Sequence, residues 1–161
     1  MKKPRRPEDI LTDEVRVSPI ASAEGVLMMR NNSAQGVRVG SDHPELFGLG
    51  EGSADLILCV RGRFVGLELK VKKGKQREKQ EDWERKVQMA RGEYILAKTV
   101  EEANAAVVRV NRQASLDAML VSAARAWAEH ADMLGQQSKA SMWREETLRL
   151  AGMYPREWPQ S

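Results

Sequence analysis

The chain has 161 residues, 42% hydrophobic and 30% charged, with a net charge of +3 and a single cysteine. That length carries one domain with a sizeable core and a modest appendage. One cysteine excludes an internal disulfide framework, and no apolar run approaches the length of a membrane span.

The start, MKKPRRPED, is basic but has no apolar segment behind it, unlike a secretory leader. The expectation is a cytosolic protein. Charge is unevenly spread: residues 114–161 hold five bases against six acids, so the surplus lies in residues 1–113. Lys2, Lys3, Arg5 and Arg6 form one basic cluster, and Lys70, Lys72, Lys73 and Lys75 another. Such clusters suit a polyanion such as nucleic acid, or equally a solvated basic face.

Pro7 followed by Glu8 and Asp9 opens a helix, with proline at the first helical position and acids at the positive end of the dipole. Ile10, Leu11 and Val15 give it an apolar side, and Ser18-Pro19 ends it. Val26–Arg30 reads as a short strand. Residues 31–52 are rich in Gly, Asn and Ser, a long loop or weak hairpin of the kind compact domains keep for function. A strong hairpin follows, then a polar helix from about Lys75 to Arg91 closed by Gly92. Tyr94–Lys98 is a further strand, and Thr99 with Glu102 forms a capping box for a helix running to about Val110. This order predicts an α/β domain over residues 1–113, a mixed central sheet flanked by helices.

Residues 114–161 form a helical C-terminal extension for oligomerisation or substrate contact. Leu116, Met119, Leu120, Ala123, Trp127, Ala131 and Leu134 recur at helical spacing, Gly135 is a stop, and Ser138 opens a second helix. Trp127 and Trp143 belong to the core of this helical hairpin or to a dimer face.

The segment GSADLILCVRGRFVGLELKVKKGK holds two apolar runs around Arg61-Gly62, each interrupted by one acid. If Arg61-Gly62 is a two-residue turn, Asp55 sits directly opposite Glu68, with Lys70 on the same face. Leu56, Leu58, Val60, Val65 and Leu67 fill the other face; Ile57, Cys59 and Phe64 continue the acid face, with Cys59 a small core residue. Like charges directly opposed destabilise a sheet, so something compensates them. A divalent cation does so: Mg²⁺ takes one or two carboxylates and keeps several waters. The competing arrangement is an ion pair of Asp55 with Lys70 or an arginine, with Glu68 reaching solvent.

Asp55 followed by Glu68-Leu69-Lys70 resembles the PD-(D/E)xK nuclease superfamily. The longer ordered set, RNNS, then GEGSADLI, GRFVGLELKVKKGK and a helix glutamine, resembles its virus-type replication-repair nuclease (VRR-NUC) branch over about half the chain. The resemblance implies a restriction-endonuclease-like sheet and Mg²⁺ or Mn²⁺ held by Asp55, Glu68 and the Leu69 carbonyl. It implies catalytic roles for Lys70 and Gln80 and for a glutamate of the first helix, Glu8 or its competitor Glu14. Gln80 otherwise reads as a solvated residue of a polar helix. Ala54 replaces the proline usual before the aspartate.

Phosphate contacts would come from Arg30, Lys72, Lys73 and Lys75, with donors from Asn31, Asn32 and Ser33, a triplet that also reads as a turn. The expected substrate is DNA, branched or duplex, cut by a homodimer selective for structures such as four-way junctions. A non-catalytic nucleic-acid-binding protein on the same scaffold and a sequence-preferring restriction-type enzyme are the rivals. His43, before Pro44, reads as a surface or turn histidine rather than a general base, His130 has no Cys or His partner at metal-ligand spacing, and Trp83 packs its helix on the sheet.

Overall fold

The structure, a computed structural model, describes residues 4–37, 43–71 and 74–150. Lys2, Lys3, Lys72 and Lys73 lie outside the described residues. The chain divides into two compact units, Met1–Asn111 and Arg112–Ser161.

In the first unit α1 (Pro7–Arg16) precedes β1 (Val26–Arg30), then a small hairpin of β2 (Ala34–Val37) and β3 (Pro44–Phe47). β4 (Leu56–Val60), β5 (Arg63–Leu69), α2 (Glu78–Met89) and β6 (Glu93–Ala97) follow, and α3 (Val100–Met133) begins here. The main sheet has the order β1-β4-β5-β6. β1–β4 and β4–β5 are antiparallel, whereas β5–β6 is parallel, with α2 as the crossover that a parallel pair requires. This is the expected α/β architecture with a mixed sheet.

The β4–β5 turn is the one the sequence predicts. Arg61 and Gly62 take φ of 47° and 85°, the doubly positive geometry of the tightest hairpins. Leu56 therefore pairs with Leu67 and Val60 with Arg63. Carried one step beyond β4, the same register sets Asp55 against Glu68.

One sheet face is the core. Leu56, Leu58, Val60, Val65, Leu67 and Leu69 are sealed, together with Leu11 and Val15 of α1, Ile20 of a short 3-10 turn, and Ala103, Val107 and Val110 of α3. The opposite face carries α2, seated by one close fit. A Cβ on Gly66 would lie 2.6 Å from the Trp83 ring, so the missing side chain is what lets Trp83 rest on β5. Trp83 then meets Tyr94 edge-on, centroids 5.9 Å apart, and Phe64 at 6.1 Å. This face is only partly covered: Leu27, Met29, Cys59 and Phe64 are exposed on it. Cys59 is thus a surface residue of β4 rather than the core residue expected.

Three boundaries differ from expectation. α2 starts at Glu78, because the Gln80 side chain accepts the Arg77 N–H at 3.0 Å and fixes the first turn there. Arg91, not Gly92, takes the left-handed φ (61°) after α2; Gly92 is needed for space instead, its Cβ position lying 2.8 Å from Val87. α3 does not stop near Val110 but continues to Met133, since none of its 34 residues is Gly or Pro.

The second unit contains the rest of α3, a turn at Gly135 (φ 70°), and α4 (Gln137–Leu150). Among the described residues its buried apolar side chains are all alanines: Ala114, Ala124, Ala128, Ala131 and Ala140. Leu116, Met119, Leu120 and Leu134 of the apolar repeat are exposed, and so is Trp127, expected in the hairpin core or on a dimer face. Trp127 stacks on half-buried Trp143 at 6.3 Å, yet 57% of Trp127 is exposed. Most of the large apolar side chains of this part of α3 therefore face solvent.

Candidate active site

The end of β5 brings three of the expected residues together. Glu68 is 1% exposed and Lys70, two residues on, is 8% exposed. Lys70 Nζ lies 2.6 Å from Glu68 Oε1, and the Gln80 side-chain amide donates to that same oxygen. Gln80 is in turn fixed through its own carbonyl to the Arg77 N–H. The glutamine is therefore both the helix cap and an arm into the site. The alternative in which Glu68 reaches solvent is excluded by its burial.

Asp55, half-buried, accepts the Leu69 N–H through Oδ2 at 2.9 Å. It does not take the ion-pair role; Lys70 pairs with Glu68 instead. Burial pushes the Asp55 carboxyl above the ordinary carboxylate range, opposed by the Leu69 N–H and the Lys70 charge. Burial likewise raises Glu68, and the charge of Asp55 adds to the shift while Lys70 and Gln80 oppose it. The two acids sense each other, as facing positions require.

Glu8, in the first turn of α1 and half-buried, adds its negative charge to the environment of Asp55. Glu14 is exposed farther along α1. Of the two helix acids, Glu8 is the half-buried one whose charge reaches Asp55.

Glu68 Oε2 is the main anomaly. It is sealed from solvent and has no hydrogen-bond partner among the described residues. A buried carboxylate oxygen without a donor carries an unrelieved desolvation cost. An all-oxygen donor set of Asp55 and Glu68 fits a hard divalent cation such as Mg²⁺ or Mn²⁺, which binds through one or two carboxylates plus waters. Among the described residues no group of three or more His, Cys, Asp or Glu side chains is arranged for a metal.

Asn31 and Ser33 have internal work. Asn31 donates through Nδ2 to Ser53 Oγ (2.7 Å) and the Ala54 carbonyl (2.9 Å), and its backbone N–H bonds the Asp55 carbonyl at 2.9 Å. Ser33 Oγ donates to Asn31 Oδ1 at 3.2 Å and lies 2.8 Å from Ser53 Oγ. This network braces the loop that delivers Asp55. Gly52 completes the brace with φ 86°, a Cβ there meeting the Lys79 carbonyl of α2 at 2.3 Å. Arg30 faces α1, 3.4 Å from Asp13 and 3.6 Å from Asp9. Asn32 and Lys75 are exposed.

Tyr94 was not singled out by its sequence context. Its hydroxyl is sealed and makes no hydrogen bond of normal geometry among the described residues, although Gln76 lies close enough to ease its ionisation. Burial pushes the phenol well above its ordinary range, and the charges of Glu68, Glu84 and Asp55 add to that. The signal for it lies in the pairing of Tyr94 with Gly66, two residues before Glu68 on β5. No protein-family model, no curated protein and no solved structure matches this chain, so its function is argued from the geometry of the Asp55, Glu68, Lys70 and Gln80 cluster.

Proposed function

We propose that the protein is a metal-dependent nuclease that hydrolyses DNA phosphodiester bonds, with its centre at Asp55, Glu68 and Lys70. The observation that carries this reading is the buried Glu68 carboxylate, one oxygen without a donor, set beside Asp55 and tied to Lys70. Asp55, Glu68 and the Leu69 carbonyl would hold Mg²⁺ or Mn²⁺. The ion, when bound, supplies Lewis-acid charge and a water of lowered pKa.

The chain's own groups do the rest. Lys70 presents an ammonium where negative charge grows on the phosphate. Gln80 fixes the Glu68 carboxylate, and Glu8 adds an acid on the α1 side. Lys75 provides positive charge for the phosphate backbone, with Asn32 an exposed donor, whereas Arg30 is paired with Asp9 and Asp13. Branched DNA is the substrate we favour: two-fold-related strands match a dimer that offers one centre to each.

A non-catalytic nucleic-acid-binding protein is the second reading, favoured by the small number of acids at the centre. It predicts salt-dependent DNA binding without hydrolysis. A panel of labelled single strand, duplex, flap and four-way junction with Mn²⁺, run beside Asp55→Asn, decides between them. Cleavage by the wild type and none by Asp55→Asn supports the nuclease. No cleavage of any substrate, or equal cleavage by both proteins, overturns it.

A further inference from the structure

The long helix α3 carries an apolar stripe that the described residues of its own unit leave largely exposed, Trp143 covering only part of Trp127. Leu120, Trp127 and Leu134 lie seven residues apart, and Met119, Ala126 and Met133 repeat the same interval one position earlier. All six are exposed. A straight helix drifts away from a seven-residue repeat, so a stripe that keeps this period is shaped to follow another helix in a left-handed supercoil.

The stripe also indicates what kind of partner it takes. Asp117, Arg125, Glu129 and Asp132 all fall outside the two rows, leaving them free of charge. Residues 112–161 hold six bases and six acids, so this unit has no net charge to attract a polyanion and none to repel its own copy. Among the described residues its buried side chains are alanines alone, a thin core for two helices. The exposed parts of Leu116 and of the Leu, Met and Trp residues in the rows amount to roughly 800 Å² per copy, the share one partner gives to a standard interface.

We propose that a second copy of this chain covers the stripe, the two hairpins packing as a four-helix bundle about a two-fold axis. No residue of the acid centre enters this interface, so the inference stands apart from the hydrolytic reading. Sedimentation equilibrium of the full chain at micromolar concentration tests it, because the monomer is 18.1 kDa. The expected wild-type species has twice that mass. The double variant Leu120→Glu, Trp127→Glu, changed only at exposed positions, is expected to sediment as the monomer with its helical circular dichroism retained. The milder pair Leu120→Ala, Trp127→Ala keeps the test valid if glutamates disturb folding, and it should raise the dimer dissociation constant at least tenfold, as a hot-spot loss does. A monomeric wild type, a tetramer or larger assembly, or a dissociation constant unchanged by the alanine pair overturns the proposal.

Discussion

Glu68 and Lys70, two residues apart along β5, form an ion pair at 2.6 Å with side chains only 1% and 10% exposed. Breaking a buried pair by removing one partner costs far more than an exposed pair does. Lys70→Met should therefore lower stability by about 3 kcal/mol at neutral pH, read from urea unfolding. The loss should shrink in acid, where Glu68 and Asp55 take up protons. Equal stability of variant and wild type at neutral pH would show that the pair contributes nothing.

Burial raises both Asp55 and Glu68. The folded protein thus keeps these protons to higher pH than the unfolded chain, and stability from this source falls as pH rises from the ordinary carboxylate range through the folded values. Asp9, Asp13 and Asp82 are lowered by arginine or lysine partners and act in the opposite sense. The comparison with Asp55→Asn separates the two. Relative to wild type, that variant should gain stability as pH rises and level off once Asp55 is ionised in the fold. A difference that stays constant between pH 4 and neutrality would contradict the shift.

Gly66→Ala places a methyl 2.6 Å from the Trp83 ring. The ring is held between Phe64 and Tyr94, so α2 must move. The expected cost is about 1–3 kcal/mol, with a fall in any cleavage rate because Gln80 rides on α2. Unfolding within 0.5 kcal/mol of wild type, about the scatter of a neutral surface change, would mean that the fit is loose.

Asn31 was expected to contact phosphate, and the structure gives it a bracing role beneath Asp55. Asn31→Ala should weaken cation binding by about tenfold, as losses behind metal ligands do, while the salt dependence of DNA binding stays as it was. A smaller salt slope with unchanged cation affinity would restore the phosphate contact.

The β4–β5 hairpin was legible because strand alternation and a two-residue turn fix register with no further information. That register alone set Asp55 against Glu68 and Lys70 on the same side. Burial of Glu68 was not legible, since it depends on how Trp83 settles over Gly66. Cys59 looked like core for the same reason: its strand reads as apolar on both faces, but α2 leaves part of one face open. The length of α3 follows from the absence of any breaker across the presumed boundary. The exposure of Trp127 could not be read, because an apolar stripe has the same spacing whether its partner is in the chain or in another copy.

The central claim is that Asp55 and Glu68 together bind a divalent cation. Titration calorimetry with Mn²⁺ on the wild type, Asp55→Asn and Glu68→Gln tests it without reference to any substrate. The expected result is a saturable heat with the wild type that is lost or weakened at least tenfold in both variants. Equal binding by all three proteins, or none by the wild type, would contradict it.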